Sequence, residues 1–466
     1  MQRFRLPEGG LIDRGLPVSF RFDGRTYHGF AGDTLASALL ANGVHMVARS
    51  FKYHRPRGIL GAGSEDPAGL VQVGAKPDET DPNMRATEVE IFNGLEAFAQ
   101  NCWPSLGFDI GAVNDLVWRW LPAGFYYKTF MGPPGSWMFF EPFIRRAAGL
   151  GKAPAGKDPD RYESQNRHCD VLVAGGGPAG LMAALTAAKS GARVILAEET
   201  SSLGGRLNAL DPAGTRLNGK TPREWVAAAQ AELAALANVT LLTRTCAFGY
   251  YADNFIALAQ LEQDHLTPQL RNAAKPRQRL WRIRAKEAVL ATGATERPLV
   301  FHGNDRPGIM LSSAVETYLH RYSVRAGNRA VVFTNNNGAW ASAFAMAEAG
   351  IVVAGIVDAR PVPEPALMQR AASYGIPVHP HTTIVDTRGQ MRVTTAVVRR
   401  LDGQGGVSGE ATVIACDLIA VSGAGRPMRR CSRNRVENCA LMLGCRRSGR
   451  ANPGRPNARR ARPTAR

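Results

Sequence analysis

The stretch Gly175-Gly-Gly-Pro-Ala-Gly180 constrains this chain more than any other. It follows an apolar strand, Asp170–Ala174, and opens an Ala-rich helix. A second apolar strand, Ala192–Ala197, then ends at Glu198. In such a unit each glycine has a task. Gly175 permits a tight turn, Gly177 lets the backbone approach a pyrophosphate, and Gly180 lets helix and strand pack closely. The helix N-terminus offers unpaired amides to the phosphates. An acid at 198 accepts hydrogen bonds from a ribose and repels a 2′-phosphate, which favours NAD or FAD over NADP. Leu203-Gly204-Gly205 follows the acid. The competing reading is a glycine-rich turn beside an empty pocket.

A second apolar strand signature, Ala288-Val-Leu-Ala-Thr-Gly293, returns the chain toward the first unit and places Thr292 and Gly293 near the nucleotide. The unit then repeats. Ala330–Thr334, a loop, a helix to Ala349 and the strand Ile351–Val357 lead to Asp358. Asn335 to Asp358 is 23 positions, as is Gly175 to Glu198. The expected class is therefore α/β, with two Rossmann-type units in the manner of two-dinucleotide flavoproteins. The second unit, residues 328–360, is degenerate. Asn337 and Trp340 replace the second and third glycines, and a Trp there is expected to hold helix and strand apart. A fold without a high-affinity nucleotide site is expected.

Upstream, the pattern changes. Val18–Asp23 alternates apolar and polar residues, Asp23-Gly24 signals a hairpin, and Thr26–Phe30 returns. Asp33 or Thr34 caps a helix through Asn42, and Gly43 ends it. Strands are expected near Leu70–Val73 and Thr87–Ile91. Residues 10–105 thus read as a β-grasp domain. Residues 106–164 form a connector and linker. The stretch 101–150 holds 12 of the 35 aromatics, either as a partner interface or cofactor wall or as rings packed on the chain's own core. Residues 165–424 hold the two units.

Charge separates off the end. Residues 425–466 contain 13 Arg, no Lys and one acid, whereas 1–424 carry 44 basic and 38 acidic residues. The body has no basic stripe with interleaved aromatics, so nucleic-acid binding is not expected. The tail reads as disordered or as translation in a shifted frame, with a genuine basic arm as the rival. Seven cysteines without a C-x-x-C pair exclude a disulfide scaffold and a dithiol redox site. The N-terminus shows no signal peptide, and the uncharged run Val171–Ala188 reads as strand, loop and helix rather than a membrane span. A cytoplasmic protein is expected. His28, His54, His302 and His320 are isolated and read as surface or satisfied histidines. No metal-ligand spacing and no catalytic residue stands out.

Several stretches resemble the alpha subunit of heterotetrameric sarcosine oxidase. They include Gly58–Gly63, Asn101–Ser105, Ala174–Gly180, Phe248–Tyr251, Ala291–Pro298 and Gly303–Ile309. The resemblance covers about residues 10–423. It implies oxidative demethylation of sarcosine to glycine with hydrogen peroxide, and beta, gamma and delta partner subunits. It implies NAD in this chain, FMN at the interface with the beta subunit and FAD in the beta subunit. The matching cofactor positions are Ala179, Glu198, Glu199, Thr200, Arg206, Ala247, Ser422 and Gly423, beside Gly175, Gly177, Gly180, Gly204 and Gly205. Arg206 stands where the family prefers Thr. The family would continue past residue 423 into a folate-binding domain. The N-terminal domain resembles a ferredoxin-like [2Fe–2S] domain, but residues 50–75 contain no cysteine, so no iron–sulfur cluster is expected. The alternatives are the alpha subunit of an amine, opine or cyanide-forming dehydrogenase, a non-catalytic NAD scaffold, and an NADH-dependent flavin reductase.

Overall fold

A computed structural model describes residues 2–427, apart from 77, 121–123, 125–131, 149–150, 152 and 212–213. The chain is α/β, with a ferredoxin-like β-grasp segment ahead of two Rossmann-type units.

The β-grasp sheet runs in the order Arg25–Ala31, Asp13–Phe22, Glu96–Ala99, Leu70–Val73, Asp81–Arg85. Asp13–Phe22 pairs antiparallel with its hairpin partner and parallel with Glu96–Ala99. The helix Leu35–Ala41 begins at Thr34, whose hydroxyl accepts from the Ser37 amide while the Ser37 hydroxyl accepts from the Thr34 amide. All seven helix residues are buried. Thr87–Ile91 forms no strand. Its Val89 amide donates to Arg85 O, and its Ile91 amide donates to Asp33 O, so the segment is drawn across the helix N-terminus. The missing strands are Asp81–Arg85 and Glu96–Ala99.

The first unit's sheet orders as Val239–Leu242, Val194–Ala197, Tyr162–Ala174, Gln278–Leu290, Phe255–Leu261, Thr245–Tyr251. Its first four strands are parallel. Tyr162–Ala174 starts well before Asp170 and takes in the end of the expected linker. The second unit's sheet is wholly parallel: Ile309–Leu311, Leu418–Ser422, Arg329–Thr334, Val352–Asp358, Val378–Pro380. Gly425–Pro427, the first residues of the Arg-rich stretch, pair with Ala294–Glu296 and so belong to the fold. The rest of that stretch lies outside the described residues.

The β-grasp core is continuous with the second unit. Phe20, Leu35, Leu39 and Ile59 share one buried cluster with Met310, Tyr318, Trp340 and Phe344. Tyr318 donates its hydroxyl hydrogen to Gly61 O at 3.0 Å. The first unit keeps separate cores. It meets the β-grasp segment through polar links, chiefly the two-pronged Arg244–Glu90 pair at 2.6 and 2.9 Å. Among the described residues no helix is long and apolar enough to cross a membrane.

Candidate functional site

The glycine loop is as tight as its residue types allow. Gly175 has φ +105°, and a Cβ there would lie 2.4 Å from Ala291 O. A Cβ on Gly180 would lie 1.8 Å from Gly175 O, so the helix Pro178–Lys189 can approach the strand only without one. Gly177 differs. It caps the helix, and nothing lies within 4 Å of an added Cβ. The open space thus sits at the helix N-terminus, where an anion is favoured. Ala179 is exposed on the first turn beside it.

Two further loops close on this one. Gly204, with φ +116°, donates its amide to Gly176 O at 2.8 Å. A Cβ on Gly205 would lie 3.0 Å from the Gly177 Cα. Ala291 donates to Ala174 O at 2.8 Å, which sets exposed Thr292 and Gly293 against the end of the first strand.

Glu198 is buried and already engaged. It accepts from the Gly176 amide at 2.7 Å and from the Thr200 amide and hydroxyl at 3.0 and 2.9 Å. Its role here is to tie the glycine loop to the second strand. Glu199 is exposed as a residue, but its carboxyl lies near Glu198, Glu88 and Glu65 and pairs with the Ser64 hydroxyl. Burial of that carboxyl, then the neighbouring charges, push it up to about 7. The Thr245 amide donates to Glu198 O and the Arg244 amide to Thr200 O, which brings Ala247's strand to the same end.

Three expected members turn elsewhere. The Arg206 guanidinium pairs with Glu316, a buried acid on the helix Ser312–His320. Glu316 also accepts from the Ser342 hydroxyl at 2.7 Å, and its burial raises its carboxyl above the ordinary range. Ser422 and Gly423 end a strand of the second sheet, and Ser422 Oγ accepts from Asn336 on the 335–340 loop at 3.0 Å. The remaining positions form one crevice. Gly176 was missed, although a Cβ there would strike Leu203 at 2.6 Å. Three glycines in a row were its only sequence signal.

In the second unit Trp340 is fully buried, and its indole N–H donates to Asp358 at 3.0 Å. Arg360 reaches the same carboxylate at 2.6 and 3.0 Å. The acid equivalent to Glu198 is therefore taken up by the protein, and the indole inserts between the helix Gly338–Glu348 and the strand end. His54 contacts buried Asp109 at 2.6 Å and His302 contacts Asp386 at 2.6 Å. Among the described residues no group of three or more His, Cys, Asp or Glu is arranged to hold a metal.

Residues 15–102 match the family described as a 2Fe-2S iron-sulfur cluster binding domain. This overturns the expectation of a chain without an iron–sulfur cluster. That expectation rested on counting cysteines, whereas the match follows the β-grasp frame. The four thiolates that such clusters use are not found among these residues, which contain Cys102 alone, its thiol pushed up to about 11 by burial. Residues 170–253, which include the glycine loop and Glu198, match the family described as FAD dependent oxidoreductase. Among solved structures, L-proline dehydrogenase from P.horikoshii superposes with a TM-score of 0.57 at 18% identity, covering 93% of this chain and 64% of that one. The fold is thus shared with it. The chain is 46% identical to the sarcosine oxidase subunit alpha of Rhizobium meliloti (strain 1021), over 97% of this chain and 43% of that protein. It is 36% identical to that of Corynebacterium sp. (strain U-96), over 90% and 38%. A match over 97% leaves about 14 of 466 residues outside it, so it runs past residue 423 into the Arg-rich stretch. The chain spans less than half the length of these relatives. Over nearly its whole length, therefore, this chain is a relative of the sarcosine oxidase alpha subunits and corresponds to a part of them.

Proposed function

We propose that this chain is the dinucleotide-binding alpha subunit of a sarcosine oxidase-type flavoenzyme, holding NAD in its first Rossmann-type unit. The overall reaction converts sarcosine, oxygen and water to glycine, hydrogen peroxide and a one-carbon unit at the oxidation level of formaldehyde. The observation that carries the reading is the 46% identity over 97% of the chain. The crevice supports it, because free space lies beside Gly177, where a diphosphate would meet the helix N-terminus.

When bound, the nicotinamide nucleotide supplies a hydride-accepting ring. This chain's own residues bind and orient it. The helix N-terminus at Gly177 faces the diphosphate, and Glu198, Glu199 and Thr200 meet the adenosine ribose. The Ala291-Thr292-Gly293 turn closes the inner side. Among the described residues the site presents no side-chain constellation that would abstract a proton from sarcosine, which agrees with a substrate site on another chain.

The connector supports a hetero-oligomer. Trp120, Leu116 and Met138 expose 82%, 82% and 72% of their surfaces, and Trp103, Phe108, Phe139 and Phe143 are exposed with them. These five aromatics with Leu116 and Met138 offer on the order of 800 Å² of apolar surface, the size of one side of a stable interface. Of the two readings of this aromatic stretch, these residues favour the partner interface.

The test is to release and identify the nucleotide from purified protein, and to measure peroxide from sarcosine after co-expression with a beta subunit. Stoichiometric NAD and sarcosine-dependent peroxide are expected. A chain that binds no dinucleotide overturns the reading.

A further inference from the structure

A cavity of about 370 Å³ lies where the β-grasp segment meets the second unit, away from the glycine loop. Its volume is in the range of small-molecule sites. Phe51, Leu60, Leu70 and Ile309 supply apolar lining, and the polar lining includes Arg57, Arg306, Asn101 and the acid Asp305.

These polar groups are incompletely engaged. Asn101 is 5% exposed, and its amide hydrogens reach Arg49 O at 2.9 Å. Its Oδ1 is buried with no donor among the described residues. A buried amide oxygen without a donor is costly and calls for a partner. Arg57 pairs through one terminal nitrogen with Asp305, leaving its other two nitrogens without a protein acceptor among the described residues. Arg306 binds Thr387 and Gly389 through two nitrogens and leaves the third. Arg49, also on the wall, donates through two nitrogens to the Leu106 and His54 carbonyls and lies 3.6 Å from Asp109. The cavity therefore offers unengaged guanidinium donors, one unengaged acceptor and an apolar wall.

We propose that this cavity binds a small organic acid that has a flat apolar body and an N–H or O–H donor. The carboxylate meets Arg57 and Arg306, the donor meets Asn101 Oδ1, and the body lies against Phe51, Leu60, Leu70 and Ile309. Arginine suits this task because its planar fork matches a carboxylate. The site joins two segments whose cores are already continuous, so an occupant would stiffen that junction. The proposal does not depend on the dinucleotide reading.

Anthranilate is the probe, since it has a carboxylate, a ring and an amino donor. Followed by thermal shift and calorimetry on the full chain, it should bind saturably with a dissociation constant of about 1 mM or tighter. Benzoate, lacking the donor, should bind several-fold more weakly. Arg57→Gln should weaken anthranilate at least tenfold. Ala68→Phe, which fills the cavity without removing a hydrogen bond, should abolish binding. Gly177→Val should leave it unchanged, which separates this site from the nucleotide crevice. No saturable binding up to about 10 mM overturns the proposal. So does undiminished binding in a folded Ala68→Phe variant, which also decides the matter should Arg57→Gln not fold.

Discussion

Glu198 Oε2 accepts the backbone N–H of Gly176 at 2.7 Å, so the acid that closes the second strand holds the glycine loop in place. Its other oxygen takes the Thr200 amide and hydroxyl. The residue read as a ribose acceptor is also a structural tie. Glu198→Ala should therefore lower dinucleotide affinity 10–100-fold and stability together, by about 1–3 kcal/mol, the scale of lost charged hydrogen bonds. Calorimetry for affinity and denaturant unfolding for stability read both. Weakened binding with unchanged stability would argue against the tie.

The two loop glycines separate space from function. Gly180→Ala drives a methyl into Gly175 O and should cost several kcal/mol of stability along with the nucleotide. Gly177→Val meets open space and should fold with a melting temperature within about 2 °C of the parent, yet lose nucleotide co-purification. Retained nucleotide in the Gly177 variant would remove the crevice assignment.

Trp340 is fully buried and bonded to the acid that ends the neighbouring strand. Trp340→Ala should cost about 3–5 kcal/mol by opening a cavity. Trp340→Phe keeps most of the volume but takes the indole donor from the fully buried Asp358, and should cost about 1–3 kcal/mol. Neither should create nucleotide binding on the 335–340 loop while Arg360 still holds Asp358. Equal stability of parent and Trp340→Phe would contradict the bond.

Glu199 predicts a pH dependence. Its carboxyl is raised from 4.5 to about 7 in the folded chain by burial of the group and by Glu198, Glu88 and Glu65, against the Ser64 hydroxyl. The folded state thus holds a proton that the unfolded state has released, and stability falls as pH rises from about 4.5 through 7. Glu199→Gln should match the parent near pH 4 and exceed it near pH 8, with most of the difference appearing between about pH 5 and 7. A melting-temperature series at fixed ionic strength reads this. A constant offset across the series would place the carboxyl in water.

The connector aromatics predict self-association in isolation. Trp118→Ser, Trp120→Ser and Phe139→Ser together remove exposed apolar surface and should turn a polydisperse chain monodisperse in light scattering, with little change in melting temperature. A large destabilisation would mean that these rings pack on the chain itself.

Much of the crevice was legible because its rules are local. A glycine at 175 is required by a positive φ, and one at 180 by contact with a carbonyl five residues back. The capping of the helix at Leu35 and the repeat spacing to Glu198 and Asp358 are equally short-range. Thr87–Ile91 misled because its Val89 and Ile91 alternate like a strand, yet both bury under the helix N-terminus. Cysteine counting misled on the N-terminal domain because it reads ligands and not the frame that the family shares.

Two Rossmann-type units, the β-grasp frame ahead of them and the glycine loops could all be read from the residues alone. These follow from periodicity and from glycine, which act within a few residues. Long-range packing, by contrast, turns Arg206 to Glu316, sets Trp340 and Arg360 on Asp358, and joins Ser422 to the second loop. It also decided that the β-grasp core fuses with the second unit and leaves a cavity at their junction. Apart from Arg360 and Asp358, which are two positions apart, these pairs join residues that packing brings together from 18 to about 300 positions away. Where such a side chain finds its partner depends on which apolar faces bury each other, and no local pattern records that choice.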